Sequence, residues 1–335
     1  MLARLAENLF WMGRYLERAE GTARMVDVTY HTLLESPPEE VTESWGELLE
    51  VLHLRTLYGQ RTIEPLAVVA FLVLDRGNPG SVTSAVTQAR ENARSVRELC
   101  STELWEVVND LHLALVARDL QRDVEHQPWE LLSMVRRSCL TVYGVASETM
   151  PRDEAWRFLA LGRMLERAAM SCRLLEVRFE HLETLGEPSR RLVGDPEDEV
   201  PHGADRTDFH HWVALLKSAS AFEPYRRRYR SSMDPADVTE FLLLAPDLPR
   251  SVAFCLASAR AQLTALCDGE DSRATRRLGR TAAMLEYRDV SELFELGLHD
   301  CLGEVQREVA QVTDDIREQF FRHAAGGNLH AVATS

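Results

Sequence analysis

The chain has 335 residues, 38 Lys and Arg against 53 Asp and Glu, a net charge of −15 and 45% apolar residues. That length supports one large core or two modest ones, and the charge excludes nucleic-acid or anionic-membrane partners reached through a broad basic face. Lys217 is the single lysine, so a P-loop lysine is excluded and Schiff-base chemistry would have to rest on that residue.

Along the chain the pattern is helical. Leu2, Leu5, Leu9, Met12, Leu16, Ala19, Ala23, Val26 and Tyr30 recur at spacings of three and four, which predicts a long helix with a heptad-like seam over 2–34. Pro37 and Pro38 close it. Further helices are expected over 43–59, 64–75, 79–100, 102–121 and 127–149, then over 153–183, 207–223, 235–244, 248–268, 272–287 and 290–322. Asp234 before Pro235 reads as an N-cap with proline at the first helical position, and Asn78 before Pro79 reads the same way. The stretch 186–208 is acidic and rich in Pro and Gly, which predicts a surface loop, and the tail over 324–335 is expected to be disordered. No segment alternates long enough to compete as a strand. The fold class is all-α.

The sequence also repeats itself. Gly13-Arg14-Tyr15-Leu16-Glu17-Arg18-Ala19 returns as Gly162-Arg163-Met164-Leu165-Glu166-Arg167-Ala168, and the match extends to Arg24 over Arg173. Trp45, Leu48, Leu49 and Tyr58 return as Trp212, Leu215, Leu216 and Tyr225. Pro65, Val68, Phe71 and Leu72 return as Pro235, Val238, Phe241 and Leu242. At that same offset Pro79, Ser81, Val82, Ala89 and Arg90 return as Pro249, Ser251, Val252, Ala259 and Arg260. The order of the blocks is kept. We therefore expect a helical bundle of two internally duplicated multi-helix units, 1–150 and 151–323, related by a pseudo-twofold axis with the two glutamate-arginine helices at its centre.

Those helices carry the candidate site. The charged pair Glu17 and Arg18 sits on stripes with Phe10 and Trp11, so the first helix is apolar over most of its circumference and is expected to be buried. Buried charges are paired or functional, because a lone one costs several kcal/mol. One reading has Glu17 and Glu166 satisfying arginines across the core. The other makes Arg14, Arg18, Arg163 and Arg167 an anion pocket oriented by the glutamates, a role suited to the guanidinium fork. Gly13 and Gly162 imply close backbone crossing. Arg90, Asn92 and Arg94, with Glu91, form a second polar cluster that reads either as a site or as a solvated helix face.

Other constellations carry less. The adjacent His210 and His211, Glu180-His181, and Asp123 with His126 lack a recurring carboxylate-histidine pattern, so no metal or cofactor is expected. No serine-histidine-aspartate signature can be assigned. Cys172 reads as a buried structural thiol, since Ala23 stands at its counterpart. Tyr225 to Arg230 is the one concentrated basic run and reads as a salt-bridged or solvated turn. The six scattered cysteines and the absence of a signal pattern suggest reduced thiols in a soluble cytoplasmic protein, and the longest apolar run, Leu66 to Leu74, is about half a membrane span.

With these residues assembled, the sequence resembles the bacterial Alpha-E family, all-helical proteins with a glutamate-arginine motif. The resemblance rests on LFWMGRYLERAEGTARMVDV, NPGSVTSAVTQARENARSVRE, WRFLALGRMLERA and FLLLAPDLPRSVAFCL. It implies a setting beside a circularly permuted ATP-grasp ligase and a transglutaminase-like protein, hence ATP-dependent amide or peptide ligation. The expected role is a helical partner that scaffolds the ligase or presents its acceptor. The alternative is a ligand-binding or catalytic subunit using the Glu/Arg pocket.

Overall fold

Leu9, Met12, Leu16, Ala19, Ala23 and Val26, the seam of the first helix, are all fully buried in the computed structural model. The structure describes residues 1–34, 37–184, 205–230 and 233–322, with backbone alone at 183–184 and 205–208. Among the described residues every regular element is helical and none is a strand, as the apolar periodicity requires.

The first eight helices are α1 (Ala3–Thr32), α2 (Pro38–Val51), α3 (Arg55–Tyr58), α4 (Pro65–Val73), α5 (Val82–Ser95), α6 (Thr102–Val116), α7 (Leu120–His126) and α8 (Pro128–Thr149). They are followed by α9 (Glu154–Thr184), α10 (Asp205–Ser218), α11 (Phe222–Tyr229), α12 (Pro235–Leu243), α13 (Val252–Leu266), α14 (Arg273–Glu286), α15 (Val290–Leu296) and α16 (Leu298–Ile316), which runs into a π turn at Arg317–Phe321. Helix α1 packs on α5 and α8, which α6 joins; α9 packs on α13 and α16, which α14 joins. The most extensive packing is between α1 and α9 themselves, and α2 reaches α9 while α10 reaches α1.

Several boundaries differ from expectation for local reasons. Pro38 opens α2 at its first turn instead of closing the preceding helix, where its missing N–H leaves no bond unmade. The helix expected over 43–59 breaks at His53, whose φ of 56° is left-handed, and resumes as α3. Asp119 caps α7 and splits the 102–121 segment, and Gly297, at φ 102°, separates α15 from α16 within 290–322. Asn78 does not cap a helix: its side chain accepts from the Gly80 N–H at 2.9 Å and donates to the Phe71 carbonyl at 3.1 Å, while Ser81 caps α5. Asp234 caps α12 as expected. The basic run Tyr225 to Arg230 is mostly the helix α11 and not a turn; Tyr225 is buried and Arg228 pairs with Asp247 at 3.1 Å. The acidic loop and the 324–335 tail lie outside the described residues, except that residues 205–208 open α10. No helix among the described residues is long and apolar enough to cross a membrane.

Candidate functional site

Two glycines bring the backbones of α1 and α9 together. A Cβ on Gly13 would collide with the Leu159 carbonyl oxygen, and one on Gly162 with that of Phe10, so only glycine permits this approach. One turn beyond the crossing, each helix sends a glutamate to the other. Glu17, 1% exposed, and Glu166, 4% exposed, lie in the core that the helix seams create.

At the Glu17 end the carboxylates are enclosed, although a cavity of about 440 Å³ reaches Arg24 beside Asp27 and Arg136. Arg167 grips both Glu17 oxygens, Nε to Oε1 at 2.6 Å and Nη2 to Oε2 at 2.8 Å, the bidentate geometry that makes such pairs strong. Arg163 stands 3.4 Å from the same carboxylate and lies 3.6 Å over the centroid of the Tyr143 ring. Arg250 reaches Glu17 at 3.3 Å and Glu20 at 3.0 Å, and Glu20, fully buried, also pairs with Arg24. Each of these four guanidiniums has a carboxylate.

The Glu166 end is open. Arg18 pairs with Glu166 at 2.8 Å and Arg14 at 3.5 Å, while Arg14 also donates to the Thr313 hydroxyl at 3.0 Å. The rings of Phe10, Trp11 and Tyr15 back these two guanidiniums. Arg173 differs: its Nε donates to the Val51 carbonyl at 2.8 Å, and no carboxylate among the described residues pairs with it. A cleft of about 650 Å³ opens here, floored by Arg14, Arg18, Arg173 and Glu166 and walled by Leu52, Leu54, Met170 and Val309. The fully buried Thr22 also lines it, and its hydroxyl has no hydrogen-bond partner among the described residues. An anion in this cleft would meet uncompensated donors.

The electrostatics follow from burial and pairing. Burial alone would raise both glutamates, yet the guanidiniums of Arg167, Arg250 and Arg163 hold Glu17 at about 2, and Arg18 and Arg14 hold Glu166 at about 2. Burial lowers Arg173, Glu166 raises it and Arg18 lowers it further, with a net downward shift.

Arg14, Glu17, Arg18, Arg163, Glu166 and Arg167 come together at the crossing as one array. Arg90, Asn92 and Arg94 do not join it. Arg90 and Arg94 flank Glu91 on α5, at 2.5 and 2.8 Å, and Arg90 bonds Asn109 of α6 at 3.2 Å beside Trp105; Asn92 is half-buried on the same helix. Sequence reasoning missed Glu20, Arg24, Tyr143, Arg173, Arg250 and Thr313. The match of Arg24 to Arg173 was the one available signal among them.

Other places are weaker candidates. A groove of about 1350 Å³ along α13 presents Ala253, Ala257 and Ala261; of its charged members Arg260, Asp268, Glu286 and Asp289 are exposed, and Glu240 and Arg288 are half-buried. Glu43, Glu47 and His181 could hold a cation, with His181 Nδ1 at 2.8 Å from Glu47, and so could Glu176, Glu180 and His299; both groups include exposed members. Burial pushes the thiols of Cys100 and Cys255 up to about 12 and Cys301 to about 11, and raises Cys139 and Cys172 further. None of these five is a thiolate nucleophile at neutral pH.

A family model described as Alpha-E, a predicted alpha-helical domain with a conserved ER motif, matches residues 1–321. The chain is similar to an uncharacterized protein of Mycobacterium bovis and to uncharacterized proteins of two strains of Mycobacterium tuberculosis. Each is 26% identical, with 94% of this chain and 36% of the relative covered. The chain therefore spans about a third of the length of these curated relatives. No solved structure matches.

Proposed function

The chain belongs to the Alpha-E family, and from that premise we propose that it is a ligand-binding helical unit whose open cleft seats an anionic group. In this reading it serves an ATP-grasp amide ligase by presenting the acceptor. The observation that carries the binding reading is Arg173, a guanidinium at a 650 Å³ cleft that makes no ion pair with a carboxylate among the described residues. Two conditions of a ligand site meet there, a concave apolar wall and a few convergent polar groups. The raised thiols favour binding over covalent catalysis by cysteine. The ligase setting is supported by the family resemblance.

We also propose that residues 1–150 and 151–323 are two copies of one helical unit, paired about the Gly13–Gly162 crossing. The matched sequence blocks support this, and so does element order. Helices α4, α5, α7 and α8 begin at Pro65, Val82, Leu120 and Pro128, and α12, α13, α15 and α16 begin at Pro235, Val252, Val290 and Leu298, all four at one constant offset. The same offset sets Thr313, which holds Arg14, against Tyr143, which holds Arg163.

The test is co-purification with an ATP-grasp partner, followed by ligase turnover with and without this chain. The expected result is a complex and a stimulated ligase, with Arg173→Gln keeping the complex and losing the stimulation. No complex and unchanged turnover would overturn the reading.

A further inference from the structure

The two ends of the crossing share their arginines but not what those arginines hold. At the closed end Glu20 stands four residues before Arg24, pairs with it, and offers its second oxygen to Arg250 at 3.0 Å. At the open end the residue four before Arg173 is Ala169. The offset that sets Pro249 against Pro79 also places Gly80 against Arg250. Both Ala169 and Gly80 line the cleft. The cleft is thus the space left where a glutamate and an arginine stand in the other half.

A hydroxyl repeats the contrast. Ser171 donates to the Arg250 carbonyl at 2.9 Å. Its counterpart is Thr22, in the register that sets Glu166 over Glu17; this residue lines the cleft, and its buried hydroxyl has no partner among the described residues. Arg14 and Arg18 are already committed to Glu166. Glu176, three residues beyond Arg173, is held by the Gln306 amide at 2.5 Å. Arg173 and the exposed Arg307, which also lines the cleft, have no carboxylate among the described residues, and the Glu20 that stands at the matching place in the other half marks a planar carboxylate as the group that fits beside Arg173. The walls formed by Leu52, Leu54, Met170 and Val309 suit a short methylene stem.

We infer that the cleft takes a carboxylate of an acidic amino acid or peptide, seated on Arg173 as the chain's own Glu20 is seated on Arg24. This rests on the anion-binding reading and on the duplication proposed above. The protein carries in one half an internal copy of the group that it binds in the other.

The experiment is calorimetric titration of the full chain with three probes: N-acetyl-glutamate α-amide, which offers a side-chain carboxylate, N-acetyl-alanine, which offers a terminal one, and inorganic phosphate. Ala169→Glu is the decisive variant, since it supplies the missing carboxylate at the i−4 position and removes no cation. At least one carboxylate probe is expected to bind about tenfold more tightly than phosphate, the tighter of the two identifying a side chain or a terminus as the source. Ala169→Glu is expected to weaken that probe about tenfold or more while keeping wild-type helical content and melting temperature. Arg173→Gln provides a second loss of binding should Ala169→Glu fold poorly. Phosphate binding more tightly than both carboxylates, or undiminished binding by Ala169→Glu, would overturn the inference and leave an anion cleft in place. No heat from any probe would overturn the anion-binding reading with it.

Discussion

Glu17 and Glu166 present one side chain in two settings, and their responses to change should differ. Glu17 answers three arginines in a closed core. Replacing it with Gln leaves buried guanidiniums without compensation, and a loss of about 3–5 kcal/mol in chemical denaturation is expected. Glu166→Gln should cost less, because the cleft admits water to Arg14 and Arg18. A smaller loss for Glu17→Gln than for Glu166→Gln would contradict the assignment of closed and open ends. Both carboxyls sit at about 2, below their ordinary 4.5. The stability that they contribute is complete above about pH 4.5 and is lost as pH falls towards 2. In an acid titration Glu17→Gln should therefore show a shallower fall than wild type over that window.

At the scale of elements, the α1–α9 crossing depends on two missing side chains. Gly13→Ala or Gly162→Ala drives a methyl into the carbonyl of Leu159 or Phe10, and each should cost about 1–3 kcal/mol through forced separation of the helices. The double variant should cost less than the sum, since one displacement relieves both clashes. Additive losses in equilibrium unfolding would mean that the two contacts are independent. Much of this crossing was legible in the sequence: the seam of α1, the repeated Glu-Arg pair and the helix-interior glycines all pointed to it. The cleft was not legible. On the proposed duplication it arises where Ala169 and Gly80 stand opposite Glu20 and Arg250, and two small residues within matched blocks look like ordinary drift. Tyr143 and Thr313 enter from α8 and α16, so only packing reveals them. Helix breaks at His53 and Gly297 depend on left-handed φ values that apolar periodicity does not register.

For the whole molecule, α1 and α9 are each other's principal packing partners, so each proposed unit lacks part of its core when alone. A chain of residues 1–150 would expose the face carrying Phe10, Met12, Gly13 and Glu17, which the intact protein buries. Sedimentation should find it self-associated or aggregated, whereas a stable monomer with native helicity would show that the first unit folds without its counterpart. The net charge of −15 gains a local meaning here. In the proposed reading an acidic surface discourages unspecific anions, while the arginine-floored cleft admits one that can desolvate into it.

In the proposed reading the carboxylates at one end of the Glu-Arg crossing complete its arginines, and the other end awaits an anion. The most direct measurement is a crystal structure of the chain grown with N-acetyl-glutamate α-amide. Its carboxylate is expected on Arg173, with the Glu17 end unchanged. An Arg173 guanidinium paired with a carboxylate of the chain itself, in a cleft closed by side chains, would contradict it.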